Sequence, residues 1–127
     1  MKLRAAFLLI ISFPLLDRPL LAHHGTSSYD LNNPVTLKGT VTEFVWSNPH
    51  VQIYFDVKDQ KGNVVHWSCA TLNPGKLVRP GWSKGALKPG DQITVTLAPA
   101  KSGKPDGWLW RLVLANGKEL GIGETQD

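Results

Sequence analysis

From Val35 onward, hydrophobic and polar residues take turns along the chain. Val35, Leu37, Gly39 and Val41 alternate with Thr36, Lys38, Thr40 and Thr42, the period-two pattern of a strand with one buried face. The parity then slips. Phe44 and Trp46 fall out of phase with Val41, which predicts a bulge or strong bend. Ser47-Asn48-Pro49 reads as a turn. Val51, Ile53, Phe55 and Val57 predict a second strand, residues 59–63 with Gly62 a hairpin connection, and residues 64–71 a third strand.

The next stretch breaks the pattern. Asn73-Pro74 opens a short helix with Pro74 in its first turn. Leu77 and Val78 form its apolar side, and Pro80-Gly81 stops it. A loop with Trp82 and Leu87 leads to the turn Lys88-Pro89-Gly90-Asp91. Ile93, Val95 and Leu97 alternate in a fourth strand. Residues 99–107 are a polar Pro/Gly loop, and residues 108–114 a fifth strand. Asn116-Gly117 then turns the chain into a short return strand over 118–120. Three strands, a short helical connection between strands 3 and 4, then two strands is the order of a small five-stranded OB-like barrel, an all-β fold. An SH3-like barrel or an open sandwich is the alternative. The sequence contains no internal repeat.

The beginning of the 127-residue chain reads as an address. Lys2 and Arg4 precede an apolar run over residues 5–16, about the length of a signal-peptide core and too short to span a bilayer. Asp17, Arg18 and Pro19 interrupt it, and Ala22 suits a cleavage site, although Leu20 is large for the −3 position. The expected organisation is a signal peptide over 1–22, an N-terminal arm over 23–33, the barrel over 34–120 and a flexible tail over 121–127. The expected location is the bacterial periplasm or the exterior, with no stable membrane span after processing. About half of the formal charge of +4 leaves with the leader. The remainder is mild and scattered, which argues against nucleic acid as a partner. Cys69 is the only cysteine, so no intramolecular disulfide forms. It reads as a buried strand residue, against a reactive or bridging thiol.

The segments His23-His24-Gly25, Tyr29-Asp30, Val35-Thr36-Leu37-Lys38-Gly39-Thr40-Val41, Trp46-Ser47-Asn48-Pro49-His50, and Gly81-Trp82 through Leu87-Lys88-Pro89-Gly90-Asp91 resemble the bacterial DUF6152 family. The resemblance runs over nearly all of the expected mature chain. It implies an exported protein with an OB-like fold and no established activity. The family pattern often has a Glu three residues after the third-strand Trp. Here Trp67 is followed by Ser68, Cys69 and Ala70, so that carboxylate is missing.

The histidines are the first candidates for chemistry. Cleavage after Ala22 exposes the His23 amine, which with its own imidazole chelates a metal. The amine's pKa near 7.7–8.0 makes it a ligand around neutral pH. His24 is adjacent, His50 follows the Asn48-Pro49 turn, and Asp30 on the same arm completes the set or orients a His. Imidazoles and an amine favour Cu(II), with Zn(II) or Ni(II) next. The competing reading makes His23 and His24 a solvated tail, His50 a turn cap and Asp30 a turn former. Without metal, the arm is expected to be mobile. His66 reads as a surface or hydrogen-bonded strand residue.

The five tryptophans come next. Trp67 and Trp82 are expected in the core. Trp108 and Trp110 share one face of their strand, with Arg111 on the other. If exposed, that face, with Trp46, offers a stacking platform for a ligand; if buried, it is core. Neither a phosphate-cradling Gly loop nor a nucleophile elbow is present. The leading expectation is therefore an exported binding module, not an enzyme, that holds a transition metal or helps an exported or membrane-bound partner protein hold one. One alternative is a metal-free module binding an oligosaccharide, a peptide or a partner protein on an aromatic face. Another is a small copper oxidoreductase.

Overall fold

The computed structural model describes residues 25–122. The expected leader, His23, His24 and residues 123–127 lie outside the described residues. A 3-10 turn at Thr26–Ser28 precedes β1 (Val35–Val45), β2 (Gln52–Lys58) and β3 (Val64–Ala70). The helix α1 (Pro74–Leu77) follows, then β4 (Gln92–Pro99), β5 (Asp106–Leu114) and β6 (Glu119–Leu120).

The strands pair in the order β3-β2-β1-β4-β5-β6, and an additional β3–β5 pairing closes the sheet. β3 and β5 run parallel, with Ser68 opposite Asp106, Cys69 opposite Gly107 and Ala70 opposite Trp108. The other strand pairs are antiparallel. A ring β1-β2-β3-β5-β4 is the closed OB-type barrel that the element order predicts.

Side chains of the inward parity fill the barrel. Val51, Ile53, Phe55, Val95, Leu97, Leu109 and Leu112 are fully buried. The chain between β3 and β4 plugs one end with Leu77, Trp82 and Leu87, all buried. Asn73 caps α1 by accepting from the Lys76 amide at 3.1 Å, which satisfies one of the helix's free amides. Only Leu77 of the expected pair faces the core. Val78 is 61% exposed, because one helical turn has room for a single inward residue.

Two glycines are required by close approach. A Cβ on Gly107 would sit 2.8 Å from the Ala98 carbonyl and 2.5 Å from Leu97 Cδ1. A Cβ on Gly39 would sit 2.7 Å from the Asp56 carbonyl.

The expected parity slip is a bulge. Between Val41 and Glu43 the β1–β2 register shifts, so that Val41 faces Phe55 while Glu43 faces Tyr54. A second bulge lies in β5, where Leu109 pairs with Leu97 and Arg111 with Thr96. Trp110 is the extra residue. This corrects the expected placement of Arg111: after the bulge it lies on the exposed side, where it pairs with Glu119 at 2.9 Å.

Both ends of the barrel domain are more firmly held than the sequence suggests. Trp82 Nε1 donates to the Gly121 carbonyl at 2.7 Å, and Ile122 packs against the core, so the first two residues of the expected tail are anchored. The arm is fastened too. Asp30 N donates to Pro99 O at 2.8 Å, and Lys101 N to Ser28 O at 3.0 Å, which corrects the expectation of an arm free along its whole length.

Candidate functional site

Neighbours in a strand point to opposite faces, so burying Ile53 and Phe55 sends Tyr54 and Asp56 to the outside of β2. Cross-strand register then selects their companions. Tyr54 faces Ser68 and Asp56 faces His66 on β3. On the far side of the closure seam, Ser68 faces Asp106. On the near side, the β1 bulge turns Glu43 outward beside Tyr54; without it, Glu43 would share the inward parity of Val41. Glu43, Tyr54, Ser68 and Asp106 thus form one row across four strands.

This row floors an open groove of about 600 Å³, within the usual size range of small-ligand sites. Asp56, His66 and Trp67 line it from the strands, and Lys104 and Pro105 from the β4–β5 loop. Tyr54 is 39% exposed. Trp67 is half-buried and stacked on Phe55 with centroids 6.5 Å apart, so its ring orientation is fixed by the core.

The polar groups of the groove are held in pairs. His66 Nδ1 lies 2.5 Å from Asp56 Oδ1, and the His66 side chain is 82% exposed. Ser68 Oγ donates to Asp106 Oδ1 at 3.1 Å, and the Gly107 amide donates to the same oxygen at 2.9 Å. Lone pairs on the second oxygens of Asp56 and Asp106 thus remain available to a ligand, beside hydrogen-bond donors on Tyr54 and Lys104.

A second cluster adjoins Ala70, two residues along β3 from Ser68. Ala70 pairs with Trp108 across the seam and is buried. Trp108 meets His50 edge-on at 5.4 Å and Tyr29 at 6.2 Å. His50 Nδ1 lies 3.0 Å from the Thr71 carbonyl. A carbonyl only accepts, so Nδ1 is the donor, and in the neutral ring the lone pair is then on Nε2. Burial pushes the Tyr29 phenol pKa up, and the charge of Asp106 adds to the shift. Burial likewise pushes the Cys69 thiol up; it is a free, buried cysteine, as its strand position predicts.

Of the sequence candidates, His50 and Trp108 are brought together. Asp30 accepts from Asn32 N at 3.2 Å and from Asn33 Nδ2 at 2.9 Å, one bond on each oxygen. This is the turn-forming role. Trp46 packs on Phe44 at 6.1 Å, against the core and in no aromatic contact with Trp108. Trp110 is 39% exposed. The three tryptophans therefore do not assemble into one stacking platform. Among the described residues, no group of three or more His, Cys, Asp and Glu side chains has metal-binding geometry, and no helix is long and apolar enough to cross a membrane.

No local sequence pattern marks the groove residues Glu43, Tyr54, Asp56, Ser68 and Asp106 as a set. Alternation alone puts Tyr54, Asp56, His66 and Ser68 on one face, and the hairpin over 59–63 pairs them. Asp106 joins only through the β3–β5 seam, which no local pattern encodes.

The molecule is a closed five-stranded OB-type barrel with a groove on the outer face of β2 and β3, the face that with its adjacent loops carries ligands in this fold. Within that class the chain belongs to the family of unknown function DUF6152, whose model matches residues 15–109. No curated protein and no solved structure matches it.

Proposed function

We propose that this protein is an exported binding module whose ligand lies in the groove over β2, β3 and the β4–β5 loop. The observation that carries the reading is the four-strand row Glu43, Tyr54, Ser68 and Asp106, which places an exposed aromatic ring among oriented hydrogen-bonding groups. The Tyr54 ring is 39% exposed and lines the groove, where its apolar face is open to a ligand. The proposed export rests on the basic, then apolar, beginning of the chain. The reading assigns no reaction to the protein.

Binding of a mixed panel of neutral oligosaccharides and short peptides tests it. Tyr54→Ala is expected to weaken whichever probe binds by tenfold or more, while Trp110→Ala leaves binding unchanged. The opposite ranking would move the site to the exposed tryptophan on β5.

A second reading, a Cu(II) site at the cluster around His50, is supported by the hydrogen bond to the Thr71 carbonyl. A backbone carbonyl on Nδ1 is the usual support of a metal-binding imidazole, because it fixes the tautomer and orients the ring. His24 stands five residues before Tyr29, a reach of at most roughly 17 Å of chain, and Tyr29 is docked on Trp108 beside His50. His23 and His24 would supply the remaining ligands, and both lie outside the described residues. In this reading His50→Ala, or one Ala inserted before His23, weakens Cu(II) binding of the processed protein at least tenfold. Unchanged affinity in both variants would refute it.

A further inference from the structure

The groove continues beyond β3's partner strands. A second depression of about 610 Å³ is lined by Lys38 and Thr40 of β1, Lys58 of β2, Val64 of β3 and Gln92 of β4. Asp56 lines both depressions, so they form one trough running across the strands. At a strand spacing of about 4.8 Å, the path from β4 over β1, β2 and β3 to the β4–β5 loop is about 19 Å, the length of about four sugar rings.

We infer that this trough holds a linear, uncharged oligosaccharide lying across the strands, with one ring stacked on Tyr54. The inference rests on the binding-module reading above and names its ligand. Three observations point to this chemistry. First, the charges balance along the trough: Lys38, Lys58 and Lys104 stand against Glu43, Asp56 and Asp106. A nucleic acid requires an excess of cations to replace its counterions, and this surface has none. Second, donors and acceptors are mixed along its length, supplied by Gln92, Thr40, Asp56, His66, Ser68 and Lys104. Hydroxyls both donate and accept, so a sugar chain matches such a mixture at every position. Third, the trough presents the exposed Tyr54 ring with Trp67 half-buried nearby, which suits the apolar face of a sugar; it is open, with no enclosed apolar pocket of the kind that anchors a peptide side chain.

The test is calorimetry on the full processed chain with cello- and chito-oligosaccharides of one to six units, and with a neutral hexapeptide. Affinity should rise at least tenfold from two to four units in one of the series and then level off. Tyr54→Ala should weaken binding tenfold or more at every length. Lys58→Ala, in the second depression, should remove the gain from two to four units and leave disaccharide binding as it was. Circular dichroism establishes that both variants fold. Affinity independent of length, or a length gain untouched by Lys58→Ala, would overturn the inference. If no oligosaccharide binds but the peptide does, in a Tyr54-dependent way, the sugar inference fails and the binding module stands. Probes bound with no dependence on Tyr54 overturn both.

Discussion

Ser68 donates its hydroxyl proton to Asp106 across the seam where β3 and β5 close the barrel. One contact thereby joins the fold to the groove, because the same carboxylate also accepts from the Gly107 amide and lines the groove. Removing a hydrogen bond to a charged acceptor costs about 1.5–3 kcal/mol. Ser68→Ala is expected at the lower end and Asp106→Ala at the upper, measured by urea denaturation. A cost below about 0.5 kcal/mol for both would mean that the seam closes without them.

The glycine beside that carboxylate tolerates no side chain. Its missing Cβ would meet the Ala98 carbonyl and Leu97, and backbone cannot yield as a flexible side chain does. Gly107→Ala should destabilise by about 1–3 kcal/mol, the range for overpacking a close-packed site. Thermal denaturation reads it, and an unchanged Tm would show that β4 and β5 separate more easily than the geometry implies.

Thr71 offers a change in the other direction. Its Oγ1 is buried with no hydrogen-bond partner among the described residues, while its carbonyl serves His50. An unsatisfied buried hydroxyl costs about 1–3 kcal/mol. Thr71→Val keeps the shape and the carbonyl and should stabilise by about 1 kcal/mol. Chemical denaturation that shows destabilisation instead would place a partner on that hydroxyl.

Cys69 is fully buried, and burial raises its pKa. The folded thiol therefore stays protonated while the unfolded one ionises above about pH 8.5. Its contribution to stability is intact below that pH and is lost as pH rises further. Wild-type Tm should fall more between pH 8 and pH 10 than that of Cys69→Ala. Equal slopes would contradict the assignment. Iodoacetamide should label Cys69 only after denaturation.

Much of this architecture was legible in the residues. Period-two runs gave β1, β2 and β4, and the slip at Phe44 marked the bulge that turns Glu43 outward. Asn73-Pro74 marked α1. The second bulge was hidden: Leu109, Trp110, Arg111 and Leu112 offer no turn residue, and only pairing with β4 shows that Trp110 is the extra one. Local alternation therefore puts Arg111 opposite Trp110, whereas the bulge leaves both exposed. The arm's contacts are not legible locally, because Tyr29 and Asp30 lie in no periodic run and their partners Trp108 and Pro99 are far along the chain. The sequence drew attention to tryptophans because they are large and many. It gave less weight to Tyr54, whose importance comes from lying between Glu43 and Ser68.

The central claim is that ligands meet the barrel at the outer face of β2 and β3. Amide shift mapping of isotope-labelled protein tests it most directly, with chitotetraose as the probe. The account predicts the largest perturbations at Tyr54, Asp56, His66, Ser68 and Gly107, falling off towards the Asn116-Gly117 turn. Perturbations centred on Trp110, Arg111 and Glu119, with Tyr54 and Ser68 unmoved, would contradict it.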